Sequence, residues 1–174
     1  NFCEIRLVDA DDNDVKNGEP GELVIRGPSL FSGYWGDEEA NSRAFRNGWF
    51  HMGDVFIQTP EGLLNFIDRA KYMIKSGGEN IYPAEIEQHI MADERITDVA
   101  VVRKPDNHWG EVPVAFVASN SDRMKSSDII DLCRDRIAKY KLPKEVYFIK
   151  SEDIPRSTSG KIKRHILEKK LVNK

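Results

Sequence analysis

Apolar and polar residues alternate at the start of the chain, with Cys3, Ile5 and Leu7 set against Glu4 and Arg6. A period of two is the signature of a half-buried strand. A polar turn containing Gly18, Pro20 and Gly21 follows, and Glu22 to Arg26 predicts a second strand. Trp49 to Ile57 and Leu64 to Ile67 predict two more, joined through Pro60-Glu61-Gly62, so roughly the first 67 residues are expected to be mainly β.

The pattern changes after Asp68. Tyr72 to Lys75 and Asn80 to Tyr82 flank the turn Ser76-Gly77-Gly78-Glu79, which predicts a short hairpin. Pro83 suits the first turn of a helix carrying Ile86 and Ile90 on one face. Val99 to Val102 and Val112 to Ala118 are continuous apolar runs, expected as buried strands. Ser127 is placed to cap a helix with Ile130, Cys133 and Ile137 at helical spacing. Glu145 to Lys150 reads as a strand, Ser157 to Gly160 as a flexible loop, and Lys163 to Leu171 as a short terminal helix. The expected class is α+β, with a β-rich part over 1–68, a connecting segment at 69–71 and an α+β domain over 72–174.

Composition narrows the function classes. The 174 residues are 40% hydrophobic and 32% charged with a net charge of -3, so neither nucleic acid nor a membrane is indicated as partner. Basic residues outnumber acidic ones from Lys139 to Lys174, which suits a phosphate-bearing partner or a solvated basic surface. No apolar run approaches the roughly 20 residues of a membrane span. The only cysteines, Cys3 and Cys133, lack metal-ligand spacing and are expected as small, buried, reduced thiols of a cytoplasmic protein. Starting at Asn1-Phe2-Cys3 and entering a strand at once, the sequence is expected to be cut from a longer protein.

Two patterns mislead. Asp9, Asp11 and Asn13 open like a calcium loop, but Asp14 stands where glycine is needed and Pro20 where a bidentate glutamate belongs, so a solvated turn is expected. The histidines at 51, 89, 108 and 165 have no metal spacing and are read as structural; no metal site is expected.

Three stretches carry candidate chemistry. Gly33 to Val55 ends in Gly48-Trp49-Phe50-His51-Met52-Gly53-Asp54, setting a carboxylate after a glycine at an expected strand end. An ionised aspartate there accepts protons from a ribose diol or from nearby turn amides; both readings stand. Asp68 to Glu87 offers Arg69, whose planar fork fits phosphate or ribose oxygens, and Gly77-Gly78, which let a backbone pass close to a slender ligand. Without more, this is equally a glycine hairpin beside a surface arginine. Pro155 to Arg164 places Lys161 after a Ser/Thr/Gly loop, where it is either solvated or carried to a developing negative charge.

In their order and content these stretches resemble the adenylate-forming superfamily of acyl-CoA synthetases, aryl-CoA ligases, luciferases and peptide-synthetase adenylation domains, over essentially all 174 residues. The resemblance implies the end of the large domain's barrel followed by the mobile C-terminal domain of an AMP-forming acid–thiol ligase. It implies that Asp54 binds the ATP ribose, Arg69 contacts the nucleotide, Lys71 is the hinge and Lys161 meets the carboxylate and α-phosphate. Gly77 and Gly78 then line the thiol tunnel, and Trp109, Tyr140 and Lys141 lie where CoA is met, core packing being an equal reading for Trp109. Mg-ATP, CoA and a small carboxylic acid are the implied substrates, and an upstream domain of the same protein is the implied partner. The phosphate-binding loop and acyl pocket of the family lie upstream, so this stretch alone is expected to be inactive and to leave sheet edges open to self-association. Fatty, aryl and medium-chain acids all remain open. Lys75 to Pro83 looks closer to CoA ligases than to adenylation domains that load a carrier-protein thiol. Outside the superfamily, a non-catalytic module binding an acidic partner through the basic tail is the alternative.

Overall fold

The computed structural model describes residues 2–172, and the chain forms two compact units, the first running to Lys71 and the second starting at Tyr72. In the first, β1 (Glu4–Val8), β2 (Pro20–Arg26) and β4 (Trp49–Gln58) pair antiparallel in that order. β3 (Phe45–Arg46) and β5 (Leu64–Arg69) share the far edge of β4 at its two ends. The β3–β4 hairpin turns on Asn47 and Gly48, both with positive φ (54° and 78°), as the tight turn of a twisted hairpin requires. Val8, Leu23, Val24 and Val55 are buried.

Two expectations fail here. Ile5 is 53% exposed and Cys3 is exposed, because β1 is an edge strand paired only to β2 and no element of its unit is laid over that stripe among the described residues. A helix, α1 (Glu38–Ala44), also interrupts the β pattern. None of its residues is buried, so it has no apolar period to read. It is held by its ends: Asp37 accepts from the Ala40 N–H at 2.9 Å, Glu38 and Glu39 face the positive end of the dipole, and Arg43 pairs with Glu39.

The second unit contains β6 (Ile74–Ser76), β7 (Glu79–Ile81), α2 (Pro83–Met91), β8 (Ile96–Asp106), β9 (Gly110–Ser119), α3 (Ser126–Cys133), β10 (Glu145–Phe148) and α4 (Arg164–Val172). β9 is central: β8 pairs along one side, while β10 (parallel) and β6 share the other. Each face of this sheet is covered. Ile86 and Ile90 of α2 and Ile129 and Cys133 of α3 pack with Val99, Val101, Ala115 and Val117. Leu167 and Leu171 of α4 pack with Ala100, Val102, Val114 and Phe116. Each such isoleucine or leucine contributes about 1.5–3 kcal/mol of apolar burial.

α3 departs from the expected register. It starts at Ser126, the Asp128 carboxylate accepts from the Lys125 N–H at 2.9 Å, and the helix stops at Cys133. Arg134 is extended and Asp135 has φ 63°, so Ile137 falls outside the helix and the buried pair is Ile129 and Cys133. Burial pushes the Cys133 thiol up to about 11, which makes it an inert core group. β10 stops at Phe148, short of Lys150, where a 3-10 turn over Ser151–Asp153 begins.

Candidate functional site

Asp54 lies inside β4, not at its end. Gly53, with φ 72°, lies in a bulge at which the register slips against β2 between Glu22 and Val24; a separate slip against β5 follows Val55, where Ile67 is the extra residue. A bulge re-aims the side chain that follows it. Asp54 is thereby set opposite Arg69 of β5, with Arg69 Nε 3.0 Å from Asp54 Oδ1. The approach is off the N–H axis, and these two buried atoms have no hydrogen-bond partner among the described residues. Much of the Arg69 side chain remains exposed. Paired with each other through these atoms, the two side chains leave their exposed parts, more of Arg69 than of Asp54, to meet a ligand with hydroxyl and phosphate oxygens.

The bulge is held from beneath by residues that sequence reasoning passed over. Glu22 accepts the Gly53 N–H at 3.0 Å with Oε1, and its Oε2 is 3.0 Å from His51 Nδ1. His51 Nε2 lies 3.7 Å from Asp12, which accepts from Arg46 and, at 2.7 Å, from the Asn47 amide. Hydrogen bonds from Arg46 hold the Asp12 carboxyl below the ordinary range, although the acidic turn was expected to be solvated. Asp9 does fill that turn, accepting the amides of Asp11 and Asn13 at 2.9 Å. Only strand register, unreadable before β2 and β4 are paired, brings Glu22 to His51.

In the second unit Gly77 and Gly78 form the β6–β7 turn with φ 58° and 88°. The Gly77 N–H donates to the Trp109 carbonyl at 2.8 Å, and the Lys75 N–H to Glu111 Oε2 at 2.9 Å. A Cβ on Gly77 would stand 2.6 Å from Trp109 Cε3, so the indole occupies the space that the missing side chain leaves. Trp109 is itself 46% exposed, resting edge-on against His108, so it is no core residue. Asp106 accepts the amides of His108 and Trp109, which lowers its pKa and fixes the turn beneath the indole.

Tyr140 is partly exposed, in a 3-10 turn over Lys139–Lys141. The Lys141 ammonium is committed to Glu85 of α2, at 2.8 and 2.9 Å. Lys71 is exposed in a 3-10 turn over Ala70–Tyr72.

Lys161 is exposed, and no ion pair reaches its ammonium among the described residues. The loop before it, expected to be flexible, is a closed turn. The Ser157 N–H donates to the Lys161 carbonyl at 2.8 Å, the Gly160 N–H to Ser157 at 2.9 Å and the Lys163 N–H to Pro155 at 2.8 Å.

The chain is similar to known proteins in sequence and in fold. The sequence model of the AMP-binding enzyme C-terminal domain matches residues 85–161, and that of the AMP-binding enzyme matches residues 1–35. Indoleacetate–CoA ligase of Aromatoleum aromaticum is 44% identical over 163 residues, covering 93% of this chain and 32% of the relative. Long-chain-fatty-acid–CoA ligase FadD13 of Mycobacterium tuberculosis is 43% identical over 160 residues, or 92% and 31%. The o-succinylbenzoate CoA synthetase of Bacillus subtilis, solved with its acyl-adenylate intermediate, superposes with a TM-score of 0.85 at 34% identity, over 96% of this chain and 34% of that one. The chain spans about a third of the length of these relatives. Two family models in chain order, relatives above 40% identity and a shared fold establish that the chain belongs to the AMP-binding enzyme family and carries that family's C-terminal domain.

Proposed function

We propose that this chain is the C-terminal part of an AMP-forming acid–thiol ligase that joins a carboxylic acid to CoA. The carrying observation is the exposed Lys161 ammonium, held at a closed turn with no ion-pair partner among the described residues, whereas Lys141 is spent on Glu85. A lysine held out in this way is a point charge available to a phosphate.

In the first half-reaction a carboxylate oxygen attacks the α-phosphorus of ATP, which enters with its Mg2+, and the bond to pyrophosphate breaks. Asp54 accepts the ribose hydroxyls, Arg69 donates to the nucleotide, and Lys161 meets the charge gathering on the phosphorus oxygens. In the second, a CoA thiolate attacks the acyl carbon and AMP leaves. For that step the second unit turns about Lys71, withdrawing Lys161 and presenting the turn of Gly77 and Gly78 with Trp109, while Tyr140 and Lys141 lie toward the CoA nucleotide.

The relatives are named for an indole acid and a long-chain fatty acid, yet their identities to this chain are nearly equal. Selection of the acid therefore belongs to a part of the protein outside this stretch. The upstream domain, a cytoplasmic setting and any self-association through open sheet edges belong to the same reading.

Lys161→Ala in the full-length protein is expected to slow acyl-adenylate formation by about 100-fold or more while sparing thioester formation from supplied acyl-adenylate. Single-turnover measurements of the two half-reactions check this. Equal loss of both would overturn the role given to Lys161.

A further inference from the structure

Lys161 stands between two arginines, Arg156 and Arg164, and both reach the same strand. β8 pairs only with β9 among the described residues, so the backbone groups on its other edge need partners from elsewhere. At Val101 those partners are side chains. Glu87 Oε1 accepts the Val101 N–H at 2.7 Å, and Arg164 Nε donates to the Val101 carbonyl at 3.0 Å. Arg164 Nη2 closes the ring by donating to the same Glu87 oxygen at 2.6 Å. Together the two side chains take the place of a neighbouring strand.

Arg164 is only 8% exposed, and its guanidinium lies 4.7 Å from the ring centre of Tyr72, the residue after Lys71. Leu167, one turn further along α4, is fully buried and fixes the helix that carries Arg164.

Three residues earlier on the same edge, Asp98 receives Arg156 Nη2 on both oxygens at 2.8 Å and Ser151 Oγ at 3.1 Å. The other end of the Arg156 fork, Nη1, donates to the Gly160 carbonyl at 2.8 Å. One arginine therefore joins the base of the turn to its tip and to β8. Each foot of the segment from 155 to 163 is bolted to the sheet, and the lysine lies between the bolts.

We propose that Arg156 and Arg164 are positioning residues for Lys161, holding its turn rigid against the free edge of β8 so that the ammonium moves only when the whole second unit moves. Through Tyr72 the same clamp ties the turn to the chain next to Lys71. This rests on the reading of Lys161 as the adenylation lysine. Neither arginine touches substrate; each acts through the lysine, where a displacement of about 1 Å is enough to matter.

The test uses the full-length protein and two variants. Arg156→Gln leads, because its side chain is 41% exposed and its loss opens no core; Arg164→Lys keeps the charge and removes the fork. Amide hydrogen exchange is expected to quicken about tenfold or more at Ser157, Gly160, Lys161 and Lys163, with the β9 amides unchanged. Single-turnover adenylation is expected to fall by about tenfold, with KM for ATP and thioester formation from supplied acyl-adenylate within about twofold of the parent. Unchanged exchange at the turn, or an equal fall in both half-reactions, overturns the clamp. Adenylation that survives Lys161→Ala overturns the reading beneath it, and is told apart because the exchange result in the arginine variants does not depend on it.

Discussion

Ile74, Ile81, Ile86, Ile90 and Ile129 in the second unit have no exposed surface, and apolar layers close over both faces of its sheet. In the first unit Ile5, Leu63, Phe66 and Trp35 are more than half exposed, and the buried set includes His51 and Asp68. One unit is cohesive through its core; the other relies on its strand ladders and on the polar network of Asp12, Glu22, Arg46 and His51. Under the proposed reading the difference suits different tasks: a unit with its own core carries a lysine at its surface, whereas an open sheet with a bulge holds a carboxylate and an arginine.

The largest test of that contrast removes matched volume from each unit. Ile86→Ala is expected to cost about 2–5 kcal/mol in the second unit, since the cavity has little room to collapse. Ile5→Ala, at a half-exposed edge position, is expected to cost under about 1 kcal/mol. Urea unfolding followed by exchange at the β8–β9 and β2–β4 amides reads both. Equal costs would mean that the first unit has a core as firm as the second.

What the sequence revealed follows the same division. In the second unit Val99 to Val102, Val112 to Ala118, and Ile86 with Ile90 spell out their burial, because a closed core imposes periodicity on everything that faces it. In the first, the Cys3, Ile5 and Leu7 alternation predicted a strand correctly and its burial wrongly, because alternation fixes which face a residue takes and not what covers that face. α1 escaped because its stability is in its capping residues and an i,i+4 pair. The candidate site was legible at Asp54, Arg69, Gly77 and Lys161 through local motifs. Glu22, Arg156 and Arg164 were not, since each acts through a partner more than 25 positions away that only strand register brings near.

A smaller effect is expected where backbone strain is matched and the surroundings differ. Gly48 in the first unit and Gly77 in the second both hold positive φ, but a Cβ on Gly48 meets nothing while one on Gly77 meets the Trp109 ring. Gly48→Ala should cost about 1 kcal/mol from conformation alone. Gly77→Ala should cost about 2 kcal/mol, because the indole must also shift. Its signature is a change in Trp109 fluorescence. If the two substitutions cost the same and Trp109 emission is unchanged, the indole is not packed against the turn.

The smallest expected effect is on acidification, and it separates a polar interior from an apolar one. Asp12 faces Arg46, Asn47 and His51, and the hydrogen bonds from Arg46 lower its pKa in the folded chain. A depressed carboxyl contributes stability that is complete above its unfolded value and is lost as pH falls through the folded one. The β2 and β4 amides are therefore expected to lose exchange protection with falling pH before the Val114 to Val117 amides of β9, which are backed by carbon on both faces. β8, by contrast, carries Asp106 and leans on Glu87 and Asp98. Arg46→Met removes the cause, so it should lower the protection of β2 and β4 at neutral pH and flatten its further loss below about pH 4. Should the two sheets lose protection together in the parent protein, the first unit would not depend on its charges in the way its burial pattern indicates.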